Sequence, residues 1–171
     1  MTDLQKKIRK TSGFTARIFG YMAIFPAVNA TLSLVGIYQA LRGAAGLQLK
    51  HNGLLLNTSP LQIILFALCT LMIYGLAAGA LMIARNIFYD ISEEYTPFKP
   101  LHVTRMRRIA LLSTICIVGQ ALVEAWSIRL RGGSSGLDLN LAYFLIPLAV
   151  WSFSFILDYA CQLQAEADTT L

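Results

Sequence analysis

Charge is what this sequence has least of. Only 13% of its 171 residues are Asp, Glu, Lys or Arg, whereas 56% are hydrophobic. A soluble domain carries about 25% charged residues, so this chain cannot clothe a water-facing surface in the usual way. The same figures exclude disorder, which requires low hydrophobicity and high charge. Histidine and cysteine are also scarce, at two and three residues. His51 and His102 stand far apart, and Cys69, Cys116 and Cys161 are scattered through apolar stretches. No metal-ligand spacing results. At ~1.5 Å of rise per residue, Cys69 falls about 12 Å below one membrane face and Cys116 about 10 Å above the other, a poor match for a disulfide. The cysteines read as small packing residues. No Ser or Cys nucleophile stands with a plausible base, so neither an enzyme nor a cofactor is expected.

What the sequence does have is four long apolar runs, at about 17–41, 61–84, 109–128 and 139–161. Each is near or above the roughly 20 residues a helix needs to cross a ~30 Å hydrocarbon core. Backbone polar groups in lipid must be satisfied within the segment, so the runs are expected to be helices. The fold class is therefore an all-α integral membrane protein. It is a four-helix transmembrane bundle forming one domain over residues 1–171.

Orientation follows from the basic residues. Lys6, Lys7, Arg9, Lys10 and Arg17 precede or open the first run, and Arg85, Lys99, Arg105, Arg107 and Arg108 lie in the 85–108 loop. The other two loops carry Arg42 with Lys50, and Arg129 with Arg131. The positive-inside bias places both termini and the 85–108 loop in the cytoplasm. The net charge of +5 then reports topology and contact with anionic lipid. Direct nucleic-acid binding is not expected, since no DNA-binding motif accompanies these residues.

The connections carry further signals. Thr2 to Gln5 fits a capping box opening a short amphipathic helix, which Ser12-Gly13 is expected to break. In the first outer loop, Leu54, Leu55 and Leu56 suit a dip into the membrane interface, and Ser59-Pro60 opens helix two. Arg131 and the Gly132-Gly133 and Gly136 that follow suit a flexible turn. Helix two is expected to continue past Arg85 through Ile87 and Ile91, which share a face. Pro97 and Pro100 break the chain, and a new helix starts near Pro100 and runs into crossing three. Helix four is expected to leave the membrane near Tyr159 and continue as a tail, 162–171, in which Asp158, Gln162 and Glu166 form one stripe at i, i+4.

Several residues are candidates for function. Arg105, Arg107 and Arg108 suit contact with an acidic partner, or simple headgroup anchoring. Asp158, Gln162, Gln164, Glu166 and Asp168 suit docking of a cytoplasmic protein, or folding back onto Arg85, Arg105 or Arg108. Within the spans, Glu124 and Gln120 lie one turn apart on the same face. Glu124 suits a proton or cation site, or a structural carboxylate neutralised by Arg129 or Arg131. Asn29 and Asn140 suit interhelical hydrogen bonds. Gly75-x-x-x-Gly79 permits close backbone approach, inside the chain or across a homo-oligomer. Pro26 and Pro147 suit kinks in helices one and four. Trp126 and Trp151 read as interface or lipid-facing aromatics.

Three segments together carry a family resemblance. They are Thr96-Pro97-Phe98, Arg105-Met106-Arg107-Arg108-Ile109-Ala110, and the ending Leu163-Gln164-Ala165-Glu166-Ala167-Asp168-Thr169-Thr170-Leu171. The chain resembles the bacterial four-span membrane family catalogued as domain of unknown function 2975. The layout agrees across nearly the whole chain, the specific residues only in the middle loop and tail. Tyr159-Ala160 stands where members often carry Tyr-Gly. The resemblance implies a protein of the bacterial cytoplasmic membrane with no established activity. It also implies a small helix-turn-helix transcription regulator as cytoplasmic partner. The expected function is thus a non-enzymatic regulatory or interaction module. The alternative is a small oligomeric transporter or channel using Glu124.

Overall fold

The computed structural model describes residues 3–42, 49–51, 54–56, 60–94, 99–130 and 140–169. Four helices dominate: α1 (Asp3–Leu41), α2 (Pro60–Glu94), α3 (Pro100–Leu130) and α4 (Leu145–Thr169). All four are long and apolar enough to cross a membrane, the pattern of a multi-pass membrane protein. Their surfaces agree: Phe25, Tyr21, Leu65, Leu122 and Phe153 are all exposed. A helix that is apolar all round needs an apolar medium on the side its neighbours do not cover.

The helices pack in chain order, each antiparallel to the one before. On α1 and α2, Phe19 stacks on Phe88 with ring centroids 5.5 Å apart, and the Arg85 stem lies over Gly20. On α2 and α3, the Cys116 thiol reaches the Ile73 carbonyl at 3.5 Å, and Phe66 meets Trp126 at 6.1 Å. Between α3 and α4, an Arg107 guanidinium nitrogen donates to Asp158 at 2.8 Å. Beyond these neighbouring pairs no two of the described helices pack closely. The bundle is therefore a sequential one, and among the described helices α4 packs chiefly on α3.

Several expectations are corrected. α1 runs unbroken through Ser12-Gly13. The Ser12 hydroxyl donates to the Ile8 carbonyl at 2.6 Å, which satisfies it inside the helix. Ser12 is buried, and Gly13 faces the Ser92 Cβ, so the small pair serves packing against α2. The first loop adds an element that no expectation named: Leu49–His51 and Leu54–Leu56 pair as short antiparallel strands, β1 and β2, with His51 opposite Leu54. Pro147 does not kink α4. It is the third residue of that helix, after a 3-10 turn at Leu141–Phe144, and first-turn amides have no intrahelical acceptor to lose. Trp126 packs on Phe66 instead of facing lipid alone.

Other expectations match. α2 continues past Ala84 to Glu94, α3 begins at Pro100, and α4 runs on past Cys161. The residues expected to cap α1 at Thr2, to open α2 at Ser59, to break the chain at 95–98 and to turn it at 131–136 lie outside the described residues.

Candidate functional site

α3 carries one continuous stripe from end to end. His102, Met106, Ile109, Ser113, Gln120 and Glu124, with Ile117 between, recur at helical spacing and all line one cavity of about 850 Å³. Because α4 packs chiefly on α3 and not on α2, the stripe becomes the floor of a cleft. α2 supplies one wall through Ala77, Leu81, Ala84 and Phe88. α4 supplies the other through Ile146, Pro147 and Val150. From His102 to Glu124 the cleft follows α3 for roughly 33 Å at 1.5 Å per residue.

The cleft is apolar along its length and polar at its ends. At one end stand Glu124, Gln120, Asn140 and Tyr143. Glu124 and Gln120 are exposed. Of the two cations expected to neutralise Glu124, Arg129 does not pair with it and Arg131 lies outside the described residues; no ion pair involves Glu124 among the described residues. At the other end His102 is wholly buried, 0% exposed, and neither ring nitrogen has a hydrogen-bond partner among the described residues. Its backbone amide donates to the Lys99 carbonyl at 2.9 Å, so the helix start fixes where the ring lies.

Ion pairs tie the helices together near the His102 end. Arg105 pairs with Asp90 of α2, and Lys99 with Glu94. Arg107 pairs with Asp158 of α4, and its guanidinium lies 5.5 Å from the Phe155 ring centroid. Arg105, Arg107 and Asp158 are thus engaged within the chain. The fold-back joins Asp158 to Arg107, not to Arg85, Arg105 or Arg108. Both members of that pair are 38% exposed, so it orients α4 more than it stabilises it, with at most about 1 kcal/mol. Arg108, Gln162, Gln164 and Glu166 are exposed, and Asp168 is described only as part of the helix backbone.

The remaining polar candidates act locally. Asn29 donates to the Phe25 carbonyl of its own helix at 2.9 Å. Asn140 caps the 3-10 turn, its side-chain oxygen accepting from the Ala142 amide at 3.0 Å. Neither is an interhelical bond. Gly75 and Gly79 meet nothing of their own chain within 4 Å of an added Cβ, so intramolecular close packing is not their role. The glycine at a close approach is Gly119, where an added Cβ would lie 3.0 Å from Ile73 Cγ1.

Sequence reasoning missed His102 and Gly119. The stripe from His102 to Glu124 was available as an i, i+3, i+4 pattern. The signal was masked because the third run was bounded at residue 109. No group of three or more His, Cys, Asp or Glu residues able to hold a metal comes together among the described residues.

Comparison with protein families, with curated proteins and with solved structures finds no match for this chain.

Proposed function

We propose that the chain is a regulatory or interaction module of the bacterial cytoplasmic membrane, both termini cytoplasmic, that holds a small helix-turn-helix transcription regulator on its C-terminal helix. The resemblance noted above supplies the partner. The observation that carries the reading is the course of α4: it is anchored to α3 at Asp158 and then continues to Thr169 with Gln162, Leu163 and Gln164 exposed. A helix held at its base and open beyond it suits capture of a partner. The basic residues support the orientation, since the antiparallel packing gathers Arg17, Arg85, Arg105, Arg107 and Arg108 toward one end of the bundle.

Two outcomes are expected. A phosphatase reporter fused within residues 43–59 is active on the outside, while a fluorescent protein fused after residue 171 lights up in the cytoplasm; the reverse pattern rejects the orientation. Deleting residues 164–171 abolishes recovery of a small DNA-binding protein from detergent extracts of native cells and leaves membrane insertion unchanged. Undiminished recovery rejects the tail as its dock.

A second reading has its own support. Glu124 and Gln120 stand on the cleft and not against lipid alone, as a transporter or channel would need, with Glu124 carrying a cation or proton.

A further inference from the structure

We infer that the cleft along α3 is a binding site for a long-chain cationic amphiphile, its ammonium head at Glu124 and its chain running down the α3 stripe. The argument begins with shape. A volume of about 850 Å³ falls within the roughly 300–1,000 Å³ of small-molecule sites. Spread over ~33 Å of helix, it is a long slot lined along its length by one stripe of α3. An extended chain can follow such a slot from end to end.

Chemistry then sets the polarity of that occupant. The floor and walls between the two ends are built from Ile117, Ile109, Leu81, Ala84 and Val150, which offer a chain only dispersion and burial. Burial of a methylene is worth about 0.8 kcal/mol, so a long chain gains more than a short one. At the polar end the one charged lining group among the described residues is the Glu124 carboxylate. Gln120 lies a turn deeper, and the Asn140 and Tyr143 side chains flank the same mouth. An anionic head would meet that carboxylate as a like charge. A cationic head pairs with it, and Tyr143 adds a ring face for the ammonium. At its far end the cleft closes on the fully buried His102.

The inference draws on the membrane reading only for the route by which an amphiphile arrives, laterally from the bilayer. It is independent of the tail. A failed reporter fusion with intact amphiphile binding would overturn the orientation alone, and the converse would overturn the site alone.

Native mass spectrometry of the full chain from a nonionic detergent provides the test. Hexadecyltrimethylammonium and hexadecyl sulfate are offered at equal concentrations below their micelle thresholds. Wild type is expected to retain one cation per chain and to bind the sulfate at least tenfold more weakly. Glu124→Gln, at an exposed position, is expected to lose cation binding about tenfold with its unfolding temperature unchanged. Ser113→Phe obstructs the floor roughly 16 Å from Glu124, and is expected to keep octyltrimethylammonium while losing the hexadecyl homologue. Equal binding of cation and sulfate overturns the site. So does an unaffected Glu124→Gln variant, or a co-purifying phospholipid that the cation does not displace.

Discussion

Gly119→Leu is expected to destabilise the detergent-solubilised protein by about 1–3 kcal/mol or more, whereas Gly75→Ala and Gly79→Ala leave it as stable as wild type or slightly more so. The contrast comes from where each glycine looks. A Cβ at Gly119 would stand 3.0 Å from Ile73 Cγ1 and 3.2 Å from Cδ1. Ile73 is itself buried, and its carbonyl accepts from the Cys116 thiol one turn away. The isoleucine therefore has little room to swing aside, and a branched side chain opposite it must push α2 and α3 apart. Overpacking of that kind typically costs 1–3 kcal/mol. At Gly75 and Gly79 nothing of the chain lies within 4 Å of an added Cβ, so alanine adds helix propensity of roughly 0.5–1 kcal/mol at no steric cost.

Thermal unfolding of the three variants checks the expectation. Restoration of Gly119→Leu by Ile73→Ala in the same chain would tie the loss to that one contact. A Gly119→Leu variant as stable as wild type would mean the two helices are not held at this distance. The alanine variants also test the homo-oligomer. Since their own chain does not use these glycines, a change in oligomeric state on Gly75→Ala or Gly79→Ala reports contact between copies and nothing else.

These glycines also mark where sequence reading reaches its limit. Four spans were legible because an apolar run of about 20 residues has few other solutions. The break before Pro100 and the continuation of α2 through Ile87 and Ile91 were legible because proline chemistry and helical periodicity are local. Close approach is not local. Gly75-x-x-x-Gly79 looks like a packing motif on its own, and a lone Gly119 does not. Which of them meets a neighbour depends on how each helix is rotated about its axis, and that is settled by contacts far along the chain. Ser12-Gly13 misled in the other direction: a poor helix pair by propensity is retained in α1 because its small size admits Ser92. The same holds for the cleft. The residues of the α3 stripe stand in the sequence at regular spacing, but the cleft exists only because α4 packs on α3 and leaves α2 uncovered. The Asp158 fold-back was legible as an acidic stripe facing basic helices. Its choice of Arg107 was not, since Arg105 is already engaged by Asp90.

His102→Leu is expected to raise the stability of the unliganded protein by about 1–3 kcal/mol, an increase visible as a higher unfolding temperature. The wild-type ring is wholly enclosed and both its nitrogens lack a partner among the described residues. An unsatisfied buried polar atom forfeits its hydration and receives nothing in exchange. A charged imidazolium would be worse, because burial strips an ion of more hydration than a neutral ring. Leucine fills a similar space without that cost, among apolar neighbours that include Ile91 and Met106 on the same cavity wall. His102→Ala separates the two contributions. It removes the orphan nitrogens as well but leaves a hole, and the cavity penalty offsets part of the gain. The order of unfolding temperatures should therefore be leucine, then alanine, with wild type below leucine. If leucine is instead the least stable of the three, the imidazole has a partner that satisfies it. A water or a ligand at the inner end of the cleft would then be holding α2 and α3 together through that ring.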